Sequence, residues 1–120
     1  MDAPRLSPKQ EQGKTWEDAA QAYLQRHGLL PIEANFRCKL GEIDLIMRDG
    51  DTLVFVEVRQ RAADAQVSAA ASISPAKIRR LVRAAQVYLQ QHFSRLPPCR
   101  FDVIAIDGGH FEWLRNAIEA

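Results

Sequence analysis

This sequence predicts an α/β fold of order αβββαβ, a mixed central sheet flanked by helices, on three observations. Residues 13–27 and 75–89 repeat apolar side chains at the 3.6-residue period of a helix. Residues 32–59 hold three strand-like runs, two of them joined across Arg48-Asp49-Gly50-Asp51, whose Asp-Gly pair is a hairpin signal because glycine accepts positive φ without steric cost. After Pro97-Pro98, the run Phe101-Asp102-Val103-Ile104-Ala105-Ile106 is apolar on both alternations apart from one acid, as a strand covered on both faces would be.

The elements follow in order. Residues 1–12, with Pro4 and Pro8, are expected to form a flexible tail, and residues 13–120 a single domain. In the first helix Trp16, Ala19, Ala20, Tyr23 and Leu24 make the apolar stripe, and Gly28 supplies the stop. A first strand around residues 32–37 leads into the hairpin at 41–59. With Asp49-Gly50 as its loop, position 48 faces 51, 44 faces 55 and 42 faces 57. Residues 61–71, rich in alanine, read as a mobile connection. Ser74 caps the second helix and Pro75 takes its first position, where the missing N–H does no harm. Ile78, Leu81, Val82, Ala85, Tyr88 and Leu89 form its core stripe and leave its cations on the open face. Asp107-Gly108-Gly109 turns the chain into a last short element around residues 111–118.

Inside the hairpin stand two carboxylates in apolar surroundings, in Gly41-Glu42-Ile43-Asp44-Leu45-Ile46 and Leu53-Val54-Phe55-Val56-Glu57-Val58-Arg59. A surface charge needs no such setting, and burying an unpartnered carboxylate costs several kcal/mol, so a cation or a metal is expected beside them. Strand alternation puts Glu57 and Arg59 on one face, roughly 6.6 Å apart, with Val54, Val56 and Val58 on the other. Glu42 and Asp44 share a face opposite Ile43 and Leu45. The expected register sets Asp44 diagonal to Glu57 on the same face, about 7 to 8 Å away, close enough for both to reach one divalent cation.

Composition bounds the function. Apolar residues at 47% and charged residues at 26% are ordinary for a globular chain of 120 residues, which is long enough to bury a core. No run approaches the roughly 18 apolar residues of a membrane span, and the N-terminus carries no apolar signal core, so a cytoplasmic location and no membrane partner are expected. Cys38 and Cys99 are far apart and lie outside any C-x-x-C spacing, which argues neither for a disulfide framework nor for a zinc site. His27, His92 and His110 fall at element ends. The net charge of +1 hides an asymmetry: residues 1–57 carry −3 and residues 58–120 carry +4, concentrated in Lys77-Ile78-Arg79-Arg80-Leu81-Val82-Arg83 with Arg59 and Arg61 just before. Arg61, Lys77, Arg79, Arg80 and Arg83 are therefore candidate phosphate contacts for a nucleic acid.

The hairpin signature, the helix segment Glu17-Asp18-Ala19-Ala20 before Tyr23-Leu24, and Arg100-Phe101-Asp102-Val103-Ile104 together resemble the bacterial YraN family, over nearly all of residues 13–118. The resemblance implies the restriction-endonuclease-like fold, similar to archaeal Holliday-junction resolvases, and a nuclease site of the P-D-x(n)-(D/E)-x-K type. On that pattern Asp44 and Glu57 match the two acids, and Arg59 stands at the lysine position. Glu17 matches the helix acid that often completes the metal site of the resolvase-like branch. The expected catalytic residues are Asp44, Glu57 and Arg59. The expected ligands of Mg²⁺ or Mn²⁺ are Asp44, Glu57, the Val58 carbonyl and Glu17. The chain departs from the pattern twice. Ile43 replaces the proline, with little consequence, and Arg59 replaces lysine, a guanidinium that stabilises charge but does not relay a proton.

Two function classes compete on this basis. One is an endonuclease that hydrolyses phosphodiester bonds in branched or structured nucleic acid, DNA rather than RNA. The other is a nucleic-acid-binding protein with a decayed site, which Arg59 favours. A third class, an interaction subunit using apolar surface around Trp16 or Trp113, has less in the sequence behind it. The resemblance also allows a homodimer, in which two sites would address two strands.

Overall fold

The structure, a computed structural model, describes residues 8–119, with side chains from Gly13 onward. Helix α1 spans Pro8–Arg26, β1 Leu30–Cys38, β2 Gly41–Asp49, β3 Thr52–Arg61, α2 Pro75–His92, β4 Cys99–Asp107 and β5 His110–Leu114. The αβββαβ order holds, with β5 as the last short element. Helix α1 starts at Pro8, five residues ahead of the expected Gly13; of the expected tail, residues 1–7 lie outside the described residues.

The five strands form one sheet in the order β1-β2-β3-β4-β5, antiparallel except for the parallel pair β3 and β4. A parallel pair needs a crossover, and α2 provides it. The three central strands are covered on both faces, which is why they read as near-continuous apolar runs. Leu53 and Phe55 point into a core closed by Leu81, Ala84, Ala85 and Tyr88 of α2. Val54 and Val56 point into a second core, closed by Ala20 and Leu24 of α1. Each helix stripe expected from the sequence is the stripe that packs. Ser74 Oγ accepts the Lys77 N–H at 3.1 Å, capping α2 as expected.

The hairpin register differs from expectation by two residues. Asp49 pairs with Thr52 and Ile46 with Phe55, so the loop is Gly50-Asp51, with Gly50 at φ +58 in the first loop position, where a type II′ turn requires a positive φ. A shift of two keeps every side chain on its predicted face, whereas a shift of one would have reversed them. Alternation on β2 nevertheless breaks at Asp44. Ile43 lies in the α2-side core and Leu45 in the α1-side core, although they were expected on one face. The recorded β2–β3 pairing stops at Leu45 and Val56, and the strands part there.

The connection after β3, expected to be mobile, is anchored at its far end. A single 3₁₀ turn covers Ala70–Ser72, Ala69 is fully buried, and its N–H donates to Asp107 Oδ1 at 2.7 Å. Helix α2 lies so close to the start of β2 that a Cβ built on Gly41 would overlap the Arg80 carbonyl, coming within 2.6 Å of its carbon. Gly41→Ala is therefore expected to lower the unfolding free energy by about 2–3 kcal/mol, because backbone on both sides leaves nothing flexible to yield. Urea denaturation checks this, and a loss under about 0.5 kcal/mol would refute it.

Candidate active site

Where β2 and β3 separate, Asp44 of β2 neighbours one acid of β3, Glu57, and one of α1, Glu17. Asp44 sits at the break in β2, and its Oδ2 accepts the Val58 N–H at 2.8 Å, so a side chain bridges the strands where the ladder has ended. Glu57 is 1% exposed, and its Oε2 has no hydrogen-bond partner among the described residues. Glu17 approaches from α1, on the opposite face of the sheet. Burial, then the Asp44 charge, pushes the Glu57 carboxyl up to about 8. The same two causes push Glu17 up to about 7, against an opposing hydrogen bond from the Asn35 side chain. Asp44 is thus the shared neighbour of both, acting on each after burial.

The two acids expected to share a face are neighbours: the Asp44 charge is the second cause, after burial, of the raised Glu57 carboxyl. Glu17 joins them. Asn35, at φ +56 on β1, was not foreseen; asparagine tolerates the left-handed region, and its amide braces Glu17. Beside the acids opens a cavity of about 450 Å³ lined by Gly13, Trp16, Glu17, Val58, Arg59, Gln60 and Arg61. Trp16, suggested as an interaction surface, lines this cavity.

The basic residues divide. Lys77 reaches into the cluster, its Nζ 3.9 Å from Glu57 Oε1 and 2.7 Å from Glu42 Oε1. Arg80 bonds the other Glu42 oxygen at 2.9 Å. Hydrogen bonds from Lys77 and Arg80 hold the Glu42 carboxyl down at about 2. Arg61 stands at the cavity, while Arg79 and Arg83 line a separate groove with Ile78, Val82, Gln86 and Glu119. The helical period accounts for the split: 77 and 80 are neighbours on one side of α2, and 79 and 83 on another. Arg59 shares Glu57's strand face, but its guanidinium turns to Ser72, with Nε 3.0 Å from Oγ and Nη2 3.4 Å from the carbonyl oxygen. The Glu42 clamp was missed in the sequence, where the only signal was two cations three apart on an amphipathic helix.

Carboxylate oxygens such as those of Asp44, Glu57 and Glu17 are the donors a hard divalent cation takes. The unpartnered Glu57 Oε2 and the two raised carboxyls are what such an ion would relieve. Among the described residues no group of three or more acidic, histidine or cysteine side chains stands at ligand spacing. His27 and His92 pair Nδ1 with the Tyr23 and Tyr88 carbonyls at the ends of α1 and α2, and both cysteines are free. No helix among the described residues is long and apolar enough to cross a membrane.

Comparison with known proteins places relatives along the whole chain. The model of uncharacterised protein family UPF0102 matches residues 16–106. A UPF0102 protein of Herminiimonas arsenicoxydans is 58% identical over 100% of this chain and 95% of its own length. One of Janthinobacterium sp. (strain Marseille) is 59% identical over 98% and 94%, and one of Cupriavidus metallidurans 57% over 99% and 89%.

Proposed function

The chain belongs to the UPF0102 family, the YraN family of the sequence resemblance, and from its acid cluster we propose that it is a metal-dependent endonuclease acting on branched or structured nucleic acid, DNA rather than RNA. The observation that carries this reading is Glu57. It is a buried carboxylate with an oxygen that has no hydrogen-bond partner among the described residues, raised by the Asp44 charge, and its strand neighbours Val58 and Arg59 line the cavity that Glu17 also lines. Lys77 at 3.9 Å offsets the buried charge only in part, since the Glu57 carboxyl stays raised, and a bound cation would offset the rest.

Asp44, Glu57, Glu17 and the Val58 carbonyl would hold Mg²⁺ or Mn²⁺. When bound, the ion supplies Lewis acidity at the scissile phosphate and lowers the pKa of water. The protein's own part is positional. The Val58 N–H fixes the Asp44 carboxylate, and α1 brings Glu17 within reach of the Asp44 charge. Arg61 at the cavity, with Arg79 and Arg83 farther along α2, suits contacts to flanking phosphates, which carry no sequence information and fit selection by structure.

The test is incubation with a panel of branched and linear DNA and RNA in Mn²⁺, beside Asp44→Ala and Glu57→Ala. Metal-dependent cleavage by the wild type, reduced at least 100-fold in both variants, is expected; cleavage that survives both belongs to a contaminant. Millimolar Mn²⁺ is further expected to raise the Tm of the wild type and not that of Asp44→Asn, since a ligand of the native state stabilises it. The second reading, a binding protein with a decayed site, is favoured by the Arg59 tie to Ser72 and expects nucleic-acid binding without cleavage.

A further inference from the structure

The cation nearest the acids is not the one at the motif's lysine position. Arg59 spends its guanidinium on Ser72, whose own hydroxyl donates to the Ala69 carbonyl at 2.6 Å, so the arginine ties β3 to the 3₁₀ turn. Lys77 comes from the first turn of α2 and lays its ammonium between Glu42 and Glu57, with its side chain 21% exposed. Two features aim it. Gly41 lets α2 sit against β2, and Glu42, itself held by Arg80, grips the ammonium from behind at 2.7 Å. An ammonium is also compact, with three donors that spread over separate acceptors, where a guanidinium presents a planar fork.

We propose that Lys77, rather than Arg59, is the catalytic cation of this site: held by Glu42, its ammonium meets the scissile phosphate beside Glu57, while Arg59 is a structural tie. This rests on the nuclease reading above. In the hydrolysis the oxygen of water forms its bond to phosphorus as the bond to the leaving sugar oxygen breaks with its electron pair. One proton of that water passes to solvent, and solvent returns one to the leaving oxygen. Lys77 stays protonated throughout and donates hydrogen bonds to the non-bridging oxygens as charge builds on them. A lysine that reaches the acids from α2 supplies the charge a lysine at position 59 would have supplied, and so frees position 59 to become arginine.

The experiment compares the wild type with Lys77→Met, Arg59→Met and the double variant Lys77→Met/Arg59→Lys. On a substrate the wild type cleaves, Lys77→Met is expected to lose about 100-fold or more in kcat with KM little changed. Arg59→Met is expected to stay within about tenfold of wild type. The double variant is expected to regain about tenfold over Lys77→Met, because an ammonium at 59 lies on the Glu57 face; a merely structural Lys77 could not be rescued from there. Near-wild-type kcat in Lys77→Met, or a larger loss in Arg59→Met, overturns the proposal. Mn²⁺ binding gives a readout without turnover. Removing a positive charge 3.9 Å from Glu57 is expected to tighten it about threefold or more in Lys77→Met, and by clearly less in Arg59→Met, whose charge acts on Glu57 more weakly. Unaltered Mn²⁺ affinity in Lys77→Met overturns the proposal even where the wild type cleaves nothing, an outcome that separately defeats the nuclease reading. Arg80 still pairs Glu42 in Lys77→Met, and Lys77→Gln replaces that variant if it does not fold.

Discussion

Asp102→Ala is expected to destabilise the protein by about 3–5 kcal/mol, the usual cost of removing one partner from a buried charged network. Asp102 is fully buried on β4. It accepts Arg100 Nε at 3.0 and 3.2 Å on its two oxygens, Trp113 Nε1 at 3.0 Å and the Asn116 N–H at 2.8 Å. The loss would leave an indole N–H and a backbone N–H without acceptors and would detach β5 and the turn after it from β4. Arg100 would keep only Asp49, at 2.9 Å. At this chain length the change corresponds to a fall in Tm of roughly 15 °C. Asp102→Asn, which retains one acceptor oxygen, is expected to lose about half as much. Thermal and urea unfolding measure both, and a loss below about 1 kcal/mol for the alanine variant would show that the network contributes little.

Glu57→Gln is expected to stabilise the metal-free protein at alkaline pH. The folded state raises the Glu57 carboxyl from 4.5 to about 8, by burial first and the Asp44 charge second. A raised acid means that the native state binds more protons than the unfolded chain between those values. The contribution is therefore fully present below about pH 4.5 and is lost as pH rises through about 8. Glu17, raised to about 7, adds to the fall in the same direction. Glutamine fills the same space without a charge to form. Its Tm is expected to match the wild type's near pH 5 and to exceed it by roughly 5 °C at pH 9, a gain on the order of 2 kcal/mol. The sign reverses with Mn²⁺, which would stabilise only the protein that can bind it. A wild-type Tm that rises from pH 5 to pH 9 without metal would mean that Glu57 is not a strained acid.

The fold was legible because its signals are local and redundant. The stripes on α1 and α2, the Ser74 cap and the apolar run of β3 each follow from side-chain periodicity or from one hydrogen bond within four residues. The turn was read one residue early, as Asp49-Gly50 rather than Gly50-Asp51, since both frames place a glycine with positive φ in the loop. Two residues of register followed, and along the paired stretch from Leu45 onward each side chain kept its face because the strand period is two. The break at Asp44 was not legible. It depends on a carboxylate of β2 taking the Val58 N–H of β3, a contact between positions 14 apart in the chain.

The same division runs through the site. Asp44 and Glu57 announced themselves as acids in apolar strands; the hairpin brought their strands together, and the bond from Val58 N–H to Asp44 set the meeting. Arg59 announced itself equally, as the cation two residues from Glu57, and the tertiary structure turned it away to Ser72. Lys77 and Glu42 looked like ordinary charges of a solvated helix face and a strand end; packing of α2 on Gly41 made them neighbours of Glu57. The sequence by itself determined the order of elements, the buried faces and the two acids of the hairpin, because alternation and the 3.6-residue period act within a few residues. Tertiary structure alone decided which cation stands beside those acids, because that depends on where a helix lies across the sheet, and no local pattern encodes the distance.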